Sequence, residues 1–523
     1  MGEHGVGRTD GSAEPDEAVE AVNVARIIEG HDESRTALVS RNRTIAYDEL
    51  NDLVARVRGG LAGLGIGHGD RVALVCGNGH PFVVAYLAAV GLGAVVVPLN
   101  PGSPAAELGR ELSVVRPVAA VVDRSASGAW TGIDADAVSS VRHVVTVDGD
   151  AIAVAVAFDT LAESDPLEVR DVAPDHVAVL MFTSGTAGAP KAAMLTHANL
   201  LANIEQSRSV PSRITAEDVV YGVIPAYHIF GLNVVVGISL AAGAAVVLVQ
   251  RFDPATALES IRNRGVTVIP GAPAMWVAFA HFDEAPADAF ATVRLALSGA
   301  AKLPVSVSER MREHFGVTIH EGYGLTEASP VVTSSVGLEP RFGSVGRVLG
   351  GIELRIVDDD GGDALVGDAG EILVRGANVF AGYLDDPDAT GRVLTPDGWL
   401  RTGDIGMCDT DGRLYLVDRA KDLIIVLGFN VFPAEVEDVL AGHPDVAEVG
   451  VIGVPHPHTG EAVKAFVVLR PGATSDEDAL VDYARDRLAR YKCPTKILLV
   501  DELPRNATGK LVRHGLDILE PTN

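Results

Sequence analysis

A glycine-rich loop at residues 183–197 contains the side chains with the clearest capacity for chemistry, and it follows a strand-like run at 177–182. Such a loop can direct backbone N–H groups, hydroxyls and a lysine ammonium at phosphate oxygens. The groups that would do so here are Thr183, Ser184, Gly185, Thr186 and Lys191. A phosphate-binding loop is therefore predicted. A flexible surface loop is the alternative, since Gly, Ser and Thr also cluster in ordinary loops.

The loop differs from the Walker A pattern, in which a glycine-lysine pair is followed by serine or threonine. Here Ala189 and Pro190 separate Gly188 from Lys191, and Ala192 stands where a magnesium-binding hydroxyl would be expected. The sequence therefore indicates a phosphate site of another architecture.

A second chemical group lies at 321–327, Glu-Gly-Tyr-Gly-Leu-Thr-Glu, on a turn hinged by glycines. The Tyr323 ring could stack on a purine. The Glu327 carboxylate could hold Mg²⁺ that bridges phosphates. The alternative is a core tyrosine and a solvated glutamate.

Three later residues could complete a nucleotide site. Asp404, in a tight turn, could accept hydrogen bonds from both ribose hydroxyls; the alternative is an aspartate that caps its own turn. Arg419 could clamp phosphate or ribose, or belong to a charged hairpin connection. Lys510, on a glycine turn near the C-terminus, could neutralise charge on a transferring phosphoryl centre, or simply be solvated.

His228 lies in the loop 225–231 and could be a general base, a metal ligand or a packed gate. A metal site is disfavoured because no second histidine or cysteine has ligand spacing. A Ser-His-Asp hydrolase is disfavoured because no Gly-x-Ser-x-Gly elbow occurs.

The elements that must position these groups alternate between strands and helices, which predicts parallel sheets and an α/β fold. The first set of strands is expected at 71–78, 94–99 and 119–123, with helices at 81–90 and from 104. The second set is expected at 218–224, 244–249, 266–270, 294–298 and 317–320, with helices at 229–241, 254–264, 273–280 and 304–314. In doubly wound sheets ligands bind beyond the carboxyl ends of the strands. The loops 225–231, 298–301 and 321–327 fall there.

From about 343 the pattern becomes β-rich, and Asp411-Gly412 predicts a hairpin. The last hundred residues predict a small α+β unit. Its strands are expected at 424–427, 446–453 and 463–469, and its helices at 433–440 and 477–489. The predicted division is an acidic disordered tail at 1–20, a large domain at 21–420 with its β-rich part at about 343–418, and a C-terminal domain at 421–523.

Composition excludes several classes of protein. The chain has 523 residues, too many for one hydrophobic core, so more than one domain is predicted. Its hydrophobic content of 47% excludes a disordered chain. A net charge of −28 disfavours nucleic acid as a partner. The apolar runs at 82–99 and 234–249 are broken by glycine, so each predicts a buried helix and a buried strand and not a transmembrane segment. Three widely separated cysteines, Cys76, Cys408 and Cys493, fit a reducing cytoplasm.

Taken together and in this order, the motifs resemble those of the adenylate-forming superfamily of acyl-CoA synthetases, luciferases and peptide-synthetase adenylation domains. The resemblance covers residues 44–513. Its motifs are 183–191, 225–231, 323–327, 402–404, 419–437 and 504–510.

The resemblance implies two half-reactions on ATP, a small-molecule carboxylic acid and coenzyme A. The carboxylate attacks the α-phosphorus and gives acyl-AMP; a small mobile C-terminal α+β domain then swings, and a thiol attacks the acyl carbon. The implied ATP-binding residues are Thr183, Ser184, Gly185, Thr186, Lys191, Gly322, Tyr323, Gly324, Thr326, Asp404, Arg419 and Lys510. Glu327 would bind Mg²⁺, and Lys510, Glu327 and His228 would serve catalysis.

By the same resemblance, Lys421 would be the hinge and Gly428 would let pantetheine pass, because only glycine leaves that room. The acyl pocket would be bordered by His228, Gly299, Ala300, Ala301 and Gly322. The small size of the last four favours a medium- or long-chain fatty acid, and an aryl acid of the coumarate type is the second choice.

No arginine precedes Tyr323, which disfavours a dicarboxylate such as malonate. By the same resemblance, the short stretch between Tyr323 and Thr402 leaves little room for the extra segment of fatty acyl-AMP ligases, which favours CoA over a carrier protein as the acceptor. A carrier-loading ligase and a non-catalytic nucleotide-binding relative stay as alternatives. Whether the chain forms a homodimer is left open.

Overall fold

The computed structural model describes residues 22–40, 43–148, 152, 155–183, 190–358, 360–419, 422, 424–426, 429–456, 460–488, 490–506 and 511–519. The predicted tail at 1–20 lies outside these residues.

The strands of the described residues are β1 (Thr36–Val39), β2 (Thr44–Ala46), β3 (Arg71–Val75), β4 (Val95–Pro98), β5 (Ala119–Asp123), β6 (His143–Val147), β7 (Val156–Ala157), β8 (Val177–Phe182), β9 (Ala192–Thr196), β10 (Val219–Gly222), β11 (Ala245–Leu248), β12 (Val268–Gly271), β13 (Leu295–Ser298), β14 (Ile319–Gly324), β15 (Val331–Ser334), β16 (Arg347–Val348), β17 (Ile352–Val357), β18 (Gly370–Gly376), β19 (Leu400–Cys408), β20 (Leu414–Arg419), β21 (Ile424–Val426), β22 (Phe429–Val431), β23 (Val446–His456), β24 (Gly460–Leu469) and β25 (Lys496–Leu499).

The α-helices are α1 (Tyr47–Gly63), α2 (His80–Gly91), α3 (Ala105–Val115), α4 (Ser127–Thr131), α5 (Phe158–Ala162), α6 (His197–Arg208), α7 (Ser239–Ala241), α8 (Pro254–Arg264), α9 (Pro273–Ala280), α10 (Val305–Phe315), α11 (Pro387–Val393), α12 (Pro433–Ala441) and α13 (Glu477–Arg485). Short 3₁₀ segments lie at Val24–Ile28, Ala135–Val138, Thr326–Ala328 and Arg513–Ile518, and a π-helical segment at Phe230–Ile238.

The first sheet has the strand order β7-β6-β5-β3-β4-β8-β9. Its pairs are parallel up to β8, as the alternation of strands and helices predicts. The exception is β9, which pairs antiparallel with β8. The predicted phosphate loop therefore connects two strands of a hairpin, whereas a Walker A loop leads from a strand into a helix.

The second sheet has the order β16-β15-β14-β13-β12-β10-β11-β1-β2. Its central strands are parallel, and both margins are antiparallel. The N-terminal strand β1 enters beside β11, with Leu38 opposite Val246. Local patterns do not indicate this pairing, because the two partners are far apart in the chain.

The helix predicted at 229–241 is present, but its larger part, Phe230–Ile238, is π-helical and only α7 is α-helical. The apolar pattern specifies a buried helix, whereas tertiary packing decides its hydrogen-bond spacing. Helices α8 and α9 occupy the predicted residues, and α10 begins one residue later than predicted.

One large cluster of buried hydrophobic side chains includes residues of both large sheets and of helices α1 and α2. Helix α2 is buried from Phe82 to Gly91 and packs against α1. The runs at 82–99 and 234–249 are thus a buried helix followed by a buried strand, as predicted. Among the described residues, no helix combines the length and apolar character needed to cross a membrane.

The β-rich part forms an antiparallel sheet, β17-β18-β19-β20, in which Asp411-Gly412 connects β19 to β20 as predicted. The C-terminal unit has the order β22-β21-β24-β23, with β25 parallel to β24 and two helices, α12 and α13. The helix predicted at 477–489 ends at Arg485, where the chain turns back to place β25 along β24. The predicted α/β class, with a large N-terminal part and a small C-terminal part, is confirmed.

Candidate nucleotide and acyl site

Tyr323 and Asp404 form a buried pair. Tyr323 lies on β14 and Asp404 on β19, and the Tyr323 hydroxyl donates to Asp404 Oδ2 at 2.6 Å. Only 7% of Tyr323 and 8% of Asp404 is exposed. A hydrogen bond to a carboxylate is shorter and stronger than one between neutral groups. The pair therefore places an aromatic face next to an oriented carboxylate. The two residues are 81 positions apart in the chain, so the fold brings them together.

Strand β14 ends at Gly324, where the backbone makes a close approach to the next turn. A Cβ on Gly324 would lie 2.2 Å from the carbonyl oxygen of Pro330, so only glycine fits. The chain then enters the 3₁₀ segment Thr326–Ala328. This turn brings Thr326 and Glu327 to the carboxyl end of the sheet.

Glu327 is fixed by two contacts with one segment of chain. The Tyr383 hydroxyl donates to Glu327 Oε1 at 2.7 Å, and the Phe380 N–H donates to the Glu327 carbonyl at 2.9 Å. Burial, followed by the neighbouring Glu327 charge, raises the pKa of Tyr383 well above its ordinary value. Tyr383 therefore stays protonated and remains a hydrogen-bond donor at physiological pH.

Lys191 lies beside this pair. Its Nζ is 5.4 Å from the centroid of the Tyr383 ring, within the range of a cation–π contact. The Thr183 N–H donates to the Lys191 carbonyl at 3.1 Å, which closes the base of the loop. The other predicted loop residues, Ser184, Gly185 and Thr186, lie outside the described residues.

Buried asparagines hold the turn that carries Glu327. Asn203 donates to the Val331 carbonyl at 2.8 Å and accepts from the Val331 N–H at 3.0 Å. Asn378 donates to the Ala328 carbonyl at 2.8 Å, and Asn233 donates to the Ser329 carbonyl at 2.6 Å. Sequence reasoning missed these residues. For Asn203 and Asn233 the available signal was an amide within a helical pattern, since a buried amide must find partners.

His228 lies in a loop that is tied down at both ends. The backbone N–H of His228 donates to the Pro225 carbonyl at 3.0 Å, and its ring Nδ1 accepts from the backbone N–H of Phe230 at 3.2 Å. A Cβ on Gly231 would lie 2.0 Å from the Pro225 carbonyl oxygen, so this position also requires glycine. Asn78, which follows β3, accepts from the Ala226 N–H at 2.8 Å. The contact with the Phe230 N–H thereby orients the imidazole.

The small residues of the predicted acyl pocket lie just after β13 or on its neighbour β14. Ser298, which precedes Gly299, pairs with Glu321, which precedes Gly322. The Phe230 ring covers Gly299, since a Cβ there would lie 3.4 Å from the ring. Ala300 and Ala301 continue from Gly299 and are exposed.

Glu321 is an additional titratable group at this place. Burial raises the pKa of Glu321 to about 7, against the opposing effects of the Leu303 N–H and Lys302. Its own N–H donates to Ser335 Oγ at 2.9 Å. Sequence reasoning did not single out this carboxyl group.

The remaining predicted residues belong to the second half of the chain. Arg419 ends β20 with its backbone opposite Asp404. Lys421, Gly428 and Lys510 lie outside the described residues. The C-terminal unit contacts the large domain through Lys302, whose Nζ is 2.5 Å from Asp438 Oδ2 on α12.

The described residues contain no group of three or more His, Cys, Asp and Glu side chains arranged to hold a metal ion. A single carboxylate together with substrate phosphates is a common arrangement for Mg²⁺. Glu327, with one oxygen engaged by Tyr383, is the carboxylate that fits.

Two family models match the chain. The model described as AMP-binding enzyme matches residues 25–384, and the model described as AMP-binding enzyme C-terminal domain matches residues 435–510.

Named relatives of similar length act on different acids. A dioxo-octahydroindenyl-propanoyl:CoA ligase of Mycobacterium tuberculosis is 38% identical over 92% of this chain and 95% of its own length. A long-chain-fatty-acid–CoA ligase of Bacillus subtilis is 34% identical over 92% of this chain and 91% of its own. A 4-coumarate–CoA ligase of Oryza sativa subsp. japonica is 34% identical over 90% of this chain and 89% of its own length.

A solved structure with the same fold is ATP-bound MatB from Rhodopseudomonas palustris. It has a TM-score of 0.88 and 32% sequence identity, and the match covers 95% of this chain and 98% of the other.

Proposed function

Because this chain belongs to the AMP-binding enzyme family and is an AMP-forming acid–CoA ligase, we propose that its nucleotide site is built from Tyr323, Asp404, Glu327 and Lys191. The activity is ATP-dependent ligation of a carboxylic acid to coenzyme A. The buried hydrogen bond between Tyr323 and Asp404 supports the proposed site most directly. It sets an aromatic face for adenine beside a carboxylate for the ribose hydroxyls.

In the first half-reaction, an oxygen of the substrate carboxylate attacks the α-phosphorus of ATP, and pyrophosphate leaves. Positioning and charge neutralisation dominate such a step. Lys191 and the loop 183–189 would hold the outer phosphates, and Thr326 would contact the α-phosphate. Lys510 would neutralise charge on the reacting centre. Glu327 would hold Mg²⁺, which supplies positive charge to the phosphate oxygens.

In the second half-reaction, the CoA sulfur attacks the acyl carbon, the thioester forms and AMP leaves with the electron pair of the broken C–O bond. Lys421 would act as the hinge that moves the C-terminal unit, and Gly428 would leave room for pantetheine. Withdrawal of Lys510 would open the path for the thiol.

For the acid, we propose a medium- or long-chain fatty acid. Gly299 directly follows β13 and Gly322 lies on the paired strand β14, both without side chains, and the Phe230 ring forms an apolar wall against Gly299. His228 would border the carboxylate end of the pocket. An aryl acid is the alternative, because a flat ring also packs against Phe230.

The test is acid-dependent exchange of pyrophosphate into ATP, measured with a panel of one acid per class: octanoic, palmitic, coumaric and a bicyclic alkanoic acid. We expect the highest rate with octanoic or palmitic acid. A highest rate with coumaric or the bicyclic acid would reject the fatty-acid proposal. Exchange with none of the acids would favour a non-catalytic nucleotide-binding relative.

The acceptor is tested by product analysis with CoA as the only thiol. Acyl-CoA is the expected product, and accumulation of acyl-AMP would favour a carrier protein as the acceptor.

The Lys510→Ala variant should lose pyrophosphate exchange and keep thioester formation from supplied acyl-AMP. Equal loss of both steps would contradict the role given to Lys510.

A further inference from the structure

Tyr383 is held by the strand that leaves the predicted phosphate loop. It forms a β-bridge with Ala193 of β9. On either side of it, the Met194 N–H donates to the Gly382 carbonyl and the Leu384 N–H donates to the Ala192 carbonyl, both at 2.9 Å. The tyrosine backbone therefore cannot shift unless β9 shifts with it.

The two ends of the Tyr383 side chain contact different groups of the site. Its hydroxyl donates to Glu327 Oε1 at 2.7 Å, and its ring face lies 5.4 Å from Lys191 Nζ. Its ring also packs edge-on against Phe380, with centroids 5.0 Å apart. One rigid ring thus sets the separation between a cation and a carboxylate.

The hydroxyl bond engages one oxygen of Glu327. A single hydrogen bond to one oxygen orients a carboxylate without consuming its second oxygen. Partners that orient metal-binding carboxylates govern metal affinity, although they do not touch the metal. Tyr383 has this relation to Glu327.

We propose that Tyr383 is a positioning residue for the first half-reaction: it aims Glu327 at the Mg²⁺ of bound Mg–ATP and holds Lys191 at the distance of the neighbouring phosphates. This role rests on the proposed nucleotide site. Tyr383 acts on Glu327 through its hydroxyl and on Lys191 through its ring, so the two contributions are separable by substitution.

The experiment compares Tyr383→Phe, which removes only the hydroxyl, with Tyr383→Leu, which removes the ring as well. Tyr415→Phe is the matched control, because its hydroxyl also contacts a carboxylate, Asp409, at 3.2 Å in another part of the fold. ATP affinity is measured by calorimetry on the full chain, with and without Mg²⁺, so the readout does not depend on the identity of the acid.

For Tyr383→Phe we expect the gain in ATP affinity that Mg²⁺ provides to fall about 10- to 100-fold, the usual effect of losing such a partner. Metal-free ATP affinity should stay within about twofold, since the ring still faces Lys191. Tyr383→Leu should also weaken metal-free ATP binding. Thioester formation from supplied acyl-AMP should persist in both variants.

The proposal is overturned if the Mg²⁺ effect in Tyr383→Phe equals that in Tyr415→Phe, or if the thioester step falls in proportion to exchange, which would indicate a purely structural role. Wild-type protein that does not bind ATP would instead reject the proposed function itself.

Discussion

The hydrogen bond between Tyr323 and Asp404 gives a quantitative prediction. Tyr323→Phe removes a donor from a carboxylate that is 8% exposed, at a donor–acceptor distance of 2.6 Å. A hydrogen bond to a charged group contributes about 1.5–3 kcal/mol. The substitution should therefore lower the free energy of unfolding of the large domain by about 1.5–3 kcal/mol.

The assay is a double-mutant cycle with Tyr323→Phe, Asp404→Ala and the double variant, followed by urea unfolding. The coupling energy should be about 1.5–3 kcal/mol, because each single substitution removes one partner of the same bond. A coupling energy below about 0.5 kcal/mol, the scatter expected of independent sites, would refute the inference that this contact orients Asp404.

The Kd for ATP should distinguish the roles of Tyr323 and Asp404. Asp404→Asn removes the charged acceptor proposed for the ribose and should raise the Kd for ATP at least about tenfold. Tyr323→Phe leaves the charge and the ring in place, so its effect on the Kd should be smaller. The reverse order would contradict the assignment of Asp404 to the ribose.

Three further predictions concern other parts of the molecule. Burial raises the pKa of Glu321 from 4.5 to about 7, so ionisation of Glu321 destabilises the fold increasingly as pH rises between these values. Relative to the wild type, the free energy of unfolding of Glu321→Gln should therefore rise across this pH window. The difference should reach at most about 3 kcal/mol at pH values above the window. Asn203→Leu leaves both backbone groups of Val331 without their partner and should cost about 2–5 kcal/mol in urea unfolding. Asp438→Lys breaks the exposed ion pair with Lys302. Because an exposed pair contributes little, the ratio of the exchange rate to the thioester rate should change by at most about fivefold. Added salt should make this change smaller.

Matched variants control these experiments. Glu111→Gln removes another buried carboxyl whose pKa is raised to about 7, away from β14, and should show the same pH trend with unchanged ATP affinity. Asn263→Leu, on the exposed face of α8, should change stability by less than about 0.5 kcal/mol. The exchanged pair Lys302→Asp with Asp438→Lys should restore the wild-type ratio. Persistence of the single-variant ratio would remove this ion pair from the control of domain movement.

The sequence by itself specified the order of most elements and the family, because both depend on local properties. Apolar periodicity indicated α8 and α9 at the residues where they occur, and capping residues such as Asp253 and Pro254 mark where α8 begins. The glycines of 321–327 indicated a turn, and the structure adds that a Cβ on Gly324 would lie 2.2 Å from the Pro330 carbonyl oxygen.

Only the tertiary structure decided which residues act together. Tyr383 lies 56 residues from Glu327, and Asn203 lies 128 residues from Val331. Each is ordinary in its local segment, one a tyrosine after a glycine and the other an amide in a helix. Their partners are set by how β9 and β14 pack. A hydrogen bond between distant segments leaves no periodic trace in either, so local patterns predicted the chemical groups of the site, whereas the fold determined what holds them in place.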